Sequence, residues 1–340
     1  MVQKDKVLKP MRIWDVADYS IEIFKNNFKT FVFISLILHI PWIFAKFLID
    51  TPDVKEGFVS FLRYIEVTNS NSTDLLGAAG KSFVEDVFVL LNIIYSLTIK
   101  LVFHAAIMKV VYYYVVDDIY DFSYKNILKI IKNGFKYMWR MARYKVYFYI
   151  VLFGVFILSF IGGLFGFSFI ASIVIPLEEI LSADLTIILS VVITLIVGPV
   201  VIFFPVGVIW TKMILGYNFI VNEGLSVSES RKRAFRMSAG SSRHIGFSSL
   251  FCYIIYIIVG KMFTIISFYV YDVYENDIIF YILYSLGTVL STILYPFVIV
   301  FITVLFIDIK VKKDGLDLEI KLNELIEKQE NAINTNNGEV

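Results

Sequence analysis

Charge is scarce in this chain. Of its 340 residues only 18% are Asp, Glu, Lys or Arg, against ~25% in soluble domains. Cysteine is nearly missing as well: Cys252 stands alone in an apolar run, which excludes a disulfide framework and a cysteine-based metal site. There are three histidines, His39, His104 and His244. His39 and His104 without a nearby carboxylate make a poor metal site, so no metal and no cofactor is expected. No Gly-rich phosphate loop, HExxH or GxSxG is present, and no pair of acids falls in an apolar block; these gaps argue against an enzyme. The net charge of +1 gives no electrostatic footprint for nucleic acid.

What the chain has instead is apolar surface: 58% of residues are hydrophobic and mean hydropathy is +0.75. The excess comes in blocks long enough to cross ~30 Å of hydrocarbon, which takes roughly 20 residues. Six candidate spans follow, at about 30–49, 87–115, 146–173, 185–211, 246–270 and 278–307. The first is too long for a removable signal peptide and should stay as an anchor. The expected fold is all-α, a polytopic membrane bundle of six transmembrane helices with cytoplasmic amphipathic helices. Residues 1–310 form its membrane domain, and 311–340 a cytoplasmic tail with a short helix and a disordered end.

Basic residues concentrate in alternate segments, while the 50–86 loop is mixed, with Lys55, Arg63 and Lys81 among several acids. They crowd the N-terminal segment, 116–145, 212–245 and the tail, whereas the connections 174–184 and 271–277 hold only acids, Glu178, Glu179, Asp184, Asp272, Glu275 and Asp277. By the positive-inside rule the basic segments and both termini are cytoplasmic, which fits a cell-membrane protein. Tyr112, Tyr113 and Tyr114 suit an aromatic belt. Pro199, Pro205 and Pro296 should kink or locally unwind their helices, and Gly162 with Gly166 make a small-xxx-small pair for helix approach. Asn71-Ser72-Thr73 matches a glycosylation acceptor.

One block carries polar groups in its middle. Asn92, Ser96, Lys100 and His104 share an i, i+4 ridge, and a lysine at the centre of a span costs about 2.5–3.5 kcal/mol. The ridge should therefore face the bundle interior. Ser35 and His39 in the first span, and Tyr281, Ser285, Thr288, Ser291, Thr292 and Tyr295 in the sixth, offer it partners. A polar seam among spans one, two and six is expected, with Lys100 placed to bind an anionic group and His104 or His39 to exchange a proton. The same groups could instead bond one another and fix helix register, and Lys100 could snorkel to an interface. Lys261 reads as a snorkelling residue near the outer face.

Lys125, Lys129, Lys132, Lys136, Arg140 and Arg143 recur at helical spacing, giving a basic amphipathic helix. It should lie in the plane of the inner leaflet against anionic lipid, at about 1 kcal/mol per cation. Ser226 and Glu229 have capping-box spacing and should open a second cytoplasmic helix; 11–28 is a third amphipathic segment. The three start roughly 105 residues apart, each before an apolar hairpin, which reads as a weak threefold repeat.

The stretches "VNEGLSVSESRKRAFRMSAGSSRHIGF" and "YPFVIVFITVLFIDIKVKKDGLDLEIKL" resemble the membrane-domain family associated with glycerophosphoryl diester phosphodiesterases and related uncharacterised prokaryotic multi-pass membrane proteins. The likeness rests on the break Pro205-Val206-Gly207, the turn Asn222-Glu223-Gly224, the tail from Asp308 through Asp317, and the opening "IWDVADYSIEIFKNNF". It implies a helical bundle in a prokaryotic cytoplasmic membrane. It does not bring the phosphodiesterase activity, which resides in a separate soluble barrel with no counterpart here. The expectation is a non-enzymatic integral membrane protein that binds or moves lipid-like or small anionic molecules. The alternative is a scaffold or partner subunit that docks a protein partner at the cytoplasmic face.

Overall fold

The apolar blocks form helices, and no strand occurs among the described residues. The structure, a computed structural model, describes residues 9–43, 89–119, 122–174, 198–274 and 277–316 with Leu318 and Leu322, the side chains at 166–174, 198, 274 and 277 excepted. In chain order the helices are α1 (Ile13–Asn26), α2 (Phe28–Ile43), α3 (Val89–Val115), α4 (Tyr124–Val174), α5 (Gly198–Met213), α6 (Gly216–Asn222), α7 (Val227–Ser238), α8 (Ser242–Tyr274) and α9 (Asp277–Asp314). Five helices are long and apolar enough to cross a membrane, and α2 is a shorter apolar helix. The chain is thus an all-α polytopic bundle and an integral membrane protein. The acceptor at Asn71, Lys46, residues 185–197, the side chain of Gly166, most of the acidic connections and nearly all of 317–340 lie outside the described residues.

The chain divides into two units, Met1–Ile13 with Arg143–Ser249 and Leu305–Val340, and Trp14–Ala142 with Leu250–Val304. The most apolar window of α9 is 72% buried, whereas that of α4 is 6% buried. So α9 supplies core, and the outward rows of α4, such as Phe153, Leu158 and Phe165, supply surface for lipid.

In the second unit, α1 buries Val16, Ala17, Ser20 and Ile23, the stripe expected of one amphipathic face. Phe24 stacks on Phe31 at 5.8 Å and meets Phe297 edge-on at 5.7 Å. The basic segment departs from expectation. It is no separate helix lying in the leaflet but the start of α4, which runs 51 residues without interruption. At 1.5 Å per residue that is ~77 Å of helix, well beyond the ~40–45 Å of a bilayer with its headgroups. Its apolar residues divide: Ile127, Ile130 and Ile131 are buried, and a Cβ on Gly134 would come within 3.2 Å of the Val102 carbonyl in α3, whereas Leu128, Phe135 and Trp139 are exposed. Lys125, Lys129, Lys132, Lys136, Arg140 and Arg143 are all exposed.

In the first unit the prolines do not unwind their helix. Pro205 sits inside α5, as Pro296 does inside α9. A proline forfeits one backbone bond, while unwinding in hydrocarbon would free several groups at several kcal/mol each. The break comes later, at Ile214–Leu215. The Met213 carbonyl accepts a 2.6 Å hydrogen bond from the buried Tyr144 hydroxyl, and Gly216 is required because the Tyr144 ring occupies the place of a Cβ. A Cβ added to Gly162 would meet nothing within 4 Å among the described residues, and it is a Cβ on Gly163 that would meet Ile202, at 3.5 Å. The capping box forms: Ser226 N–H donates to Glu229 Oε2 at 3.0 Å and Glu229 N–H to Ser226 Oγ at 3.4 Å. These bonds hold the Glu229 carboxyl below the usual range.

Alanine normally gains about 0.5–1 kcal/mol over glycine inside a helix, whereas overpacking costs about 1–3 kcal/mol. Gly216→Ala should therefore lower the thermal unfolding midpoint of the extracted protein by several degrees, and Gly162→Ala should leave it unchanged or raise it. Equal midpoints for the two would contradict the Tyr144 packing.

Candidate functional site

Tyr295 in α9 organises the polar seam of the second unit. His104 Nε2 lies 2.9 Å from the Tyr295 hydroxyl, and Lys100 Nζ stands 4.8 Å from the centre of the Tyr295 ring. One aromatic side chain therefore serves both polar residues of the α3 ridge, the hydroxyl for His104 and the π-face for Lys100. From α2, the buried His39 packs its ring on Phe103 at 4.3 Å and toward Tyr95 at 6.0 Å. Among the described residues its Nδ1 and the Tyr95 hydroxyl are buried without hydrogen-bond partners.

The remaining ridge residues have different fates. Ser35 is buried but bonds the Phe31 carbonyl of its own helix at 2.8 Å, so its polarity is spent locally. Ser96 is half-buried, and Asn92 is exposed. Interior placement was expected for the whole ridge, and for Asn92 this is corrected. A turn at Thr98, where the hydroxyl bonds the Ile94 carbonyl at 2.7 Å, interrupts α3 and ends the buried stretch. In α9, Ser285, Thr288 and Thr292 also bond carbonyls one turn back.

Sequence reasoning missed the part played by α8. Ser291 donates to the Gly260 carbonyl, and the Tyr256 hydroxyl reaches the Ser291 carbonyl at 3.4 Å. Tyr256 also meets Tyr295 edge-on at 5.8 Å. Lys261, expected to snorkel, is exposed, but its charge is felt at Lys100. The Gly260-Lys261 pair inside an apolar run was the available signal. A cation–π contact returns about 0.5–2 kcal/mol, less than the ~2.5–3.5 kcal/mol of placing a lysine at mid-span, and Lys261 adds repulsion. Among the described residues no carboxylate forms an ion pair with Lys100. The seam thus presents net positive charge, a hydroxyl and an imidazole with no counter-charge of its own among those residues.

A second constellation, in the first unit, gathers residues far apart in sequence. The Asp308 carboxylate has no exposed surface. It accepts from the Met11 backbone N–H at 2.7 Å, pairs with His244 Nε2 at 2.9 Å and accepts from Lys312 Nζ at 2.6 Å. Lys312 also donates to the Met11 carbonyl at 2.6 Å. Beside this clasp, Lys310 pairs with Glu223 at 2.9 Å, and Arg233 with Asp314 at 2.9 Å and Glu223 at 3.7 Å. The Asp314 bond holds the Arg233 proton more firmly than usual. With every charge answered, these residues do structural work. Among the described residues no three His, Cys, Asp or Glu side chains gather closely enough to share a metal ion.

Comparison with protein-family models, with curated proteins and with solved structures finds no match in any of the three.

Removing one partner of a buried charge pair costs about 3–5 kcal/mol, while a half-exposed pair is worth about 0–1 kcal/mol. Asp308→Ala should therefore destabilise the protein strongly and open the chain near Met11 to protease, whereas Arg233→Ala should do neither. Limited proteolysis alongside thermal unfolding reads both effects.

Proposed function

We propose that the seam holds an anionic or lipid-like molecule, and that the protein binds or moves such molecules without catalysing a reaction on them. The observation that carries this reading is Lys100 above the Tyr295 ring with no carboxylate paired to it among the described residues. A phosphate or carboxylate beside the Lys100 ammonium would offset the insertion cost of that charge. The His104–Tyr295 pair would then supply a directed hydrogen bond, and His39 Nδ1 and the Tyr95 hydroxyl unspent polar atoms.

On this proposal the basic segments face the cytoplasm, both termini lie inside and the membrane is a cell membrane. Affiliation with the membrane-domain family named above is part of the same proposal. The exposed basic stretch of α4 would meet anionic headgroups with its projecting turns, not by lying flat.

Native mass spectrometry of the gently extracted protein tests it. Wild type should retain an anionic adduct that Lys100→Ala loses, and Tyr295→Phe, which keeps the ring but removes the hydroxyl, should retain part of it. An adduct stoichiometry that is unchanged in Lys100→Ala, or no adduct in wild type, overturns the seam as a site; a protein partner recovered in place of a small molecule would favour the docking role.

A further inference from the structure

Helix α7 sorts its cations by partner. Arg233 points to Glu223 and Asp314 and belongs to the structural network. Arg231, Lys232 and Arg236, on the same helix, form no ion pair with a carboxylate among the described residues. The one acid in the first turn of α7, Glu229, is engaged by Ser226. Together with Tyr147 of α4 and Phe235, these three cations line an open groove of about 590 Å³, within the ~300–1,000 Å³ range of small-molecule sites.

The groove is built, not incidental. Arg231 donates to the Tyr147 hydroxyl at 3.0 Å with its guanidinium 5.1 Å from the centre of that ring. This fixes the arginine and leaves the Tyr147 hydroxyl proton free to donate. Lys212 Nζ stands 6.0 Å from the Phe235 ring and adds a fourth positive charge to the surroundings. Depth is set by the sequence: Lys145 is the last charged residue before the uncharged run that begins at Val146. Tyr147 therefore stands where hydrocarbon meets headgroups, with the exposed Tyr149 beside it.

We infer that this groove between α4 and α7 binds the headgroup of an anionic phospholipid. Arg231, Arg236 and Lys232 receive the phosphodiester, the Tyr147 hydroxyl donates to one of its oxygens, and Phe235 borders the glycerol. Charge complementarity at headgroup depth selects the lipid: a soluble anion would gain the same cations but nothing from the adjoining apolar surface. The site is separate from the seam and does not depend on it.

The test uses the full chain carrying Lys100→Ala, so that no ligand of the seam is counted, in neutral detergent, with native mass spectrometry during titration with phosphatidylglycerol. Arg231→Gln with Arg236→Gln is expected to weaken binding roughly thirtyfold, about fivefold for each cation removed from an anionic surface. Lys25→Gln with Lys29→Gln, the same charge loss at exposed positions elsewhere, should change it less than twofold. Tyr147→Phe, which keeps the ring packing, should cost about threefold and keeps the test valid should the double variant misfold. Equal losses in the two double variants would reduce the effect to bulk charge and overturn the site. Phosphatidylcholine binding as tightly, or inorganic phosphate at millimolar concentration displacing the lipid, would overturn the assignment to an anionic lipid.

Discussion

Hydrocarbon offers no hydrogen bonds, so each polar group carried into an apolar block must be answered by the protein. Most answers here are local. Ser35, Ser285, Thr288, Thr292 and Thr303 return their hydroxyls to carbonyls of their own helices, which makes them compatible with an apolar setting but removes them as ligands. The answers that cross between helices are fewer and determine the packing. Tyr144 caps the carbonyl freed at the end of α5, Ser291 ties α9 to α8, and Tyr295 joins α9 to the ridge of α3.

The same accounting separates charges that hold the fold from charges available to a ligand. Asp308 is fully buried but collects a backbone N–H, an imidazole and an ammonium, so its desolvation is repaid by three directed contacts. Glu223, Arg233, Lys310 and Asp314 close among themselves. The turn at Asn222-Glu223-Gly224 and the tail from Asp308 to Gly315, two of the patterns on which the family resemblance rests, are thereby accounted for as one electrostatic clasp. Gly224 and Gly315 have φ of +69° and +66°, the left-handed backbone that glycine adopts without strain. The part of the likeness carried by such residues speaks to how the helix ends are fastened, and it leaves the ligand open.

What the sequence disclosed follows from how far each signal reaches. Apolar blocks, the capping box at Ser226 and the ridge of Lys100 and His104 are written locally, and the structure contains the capping box, that part of the ridge, five long apolar helices and a shorter one. Continuity was harder to read. Nothing between Lys136 and Val146 breaks a helix, yet the change from basic to apolar composition suggested two elements where α4 is one. Partners were hardest. Asp308 stands 64 residues from His244 and 297 from Met11, and an acid closing an apolar run reads simply as the end of a span. Tyr256 and Gly260 went unnoticed for the same reason, since their importance lies in what α9 presents to them.

Depth gives the two remaining groups of cations different physics. Lys100 is held in a span, where solvent screening is weak and the cost of the charge is large; an anion there is favoured because the ammonium has so few alternatives. On the proposed lipid contact Arg231, Lys232 and Arg236 would lie at headgroup level, where the exposed Lys232 and Arg236 are solvated by water. Their attraction for an anion is therefore moderate, additive and screened over ~10 Å at 0.1 M salt. A molecule held by the seam should then be selected by fit and charge and exchange slowly, while a headgroup in the groove should exchange readily with the surrounding leaflet. The first arrangement suits a retained cargo, the second a contact that fixes how the protein sits in an anionic membrane.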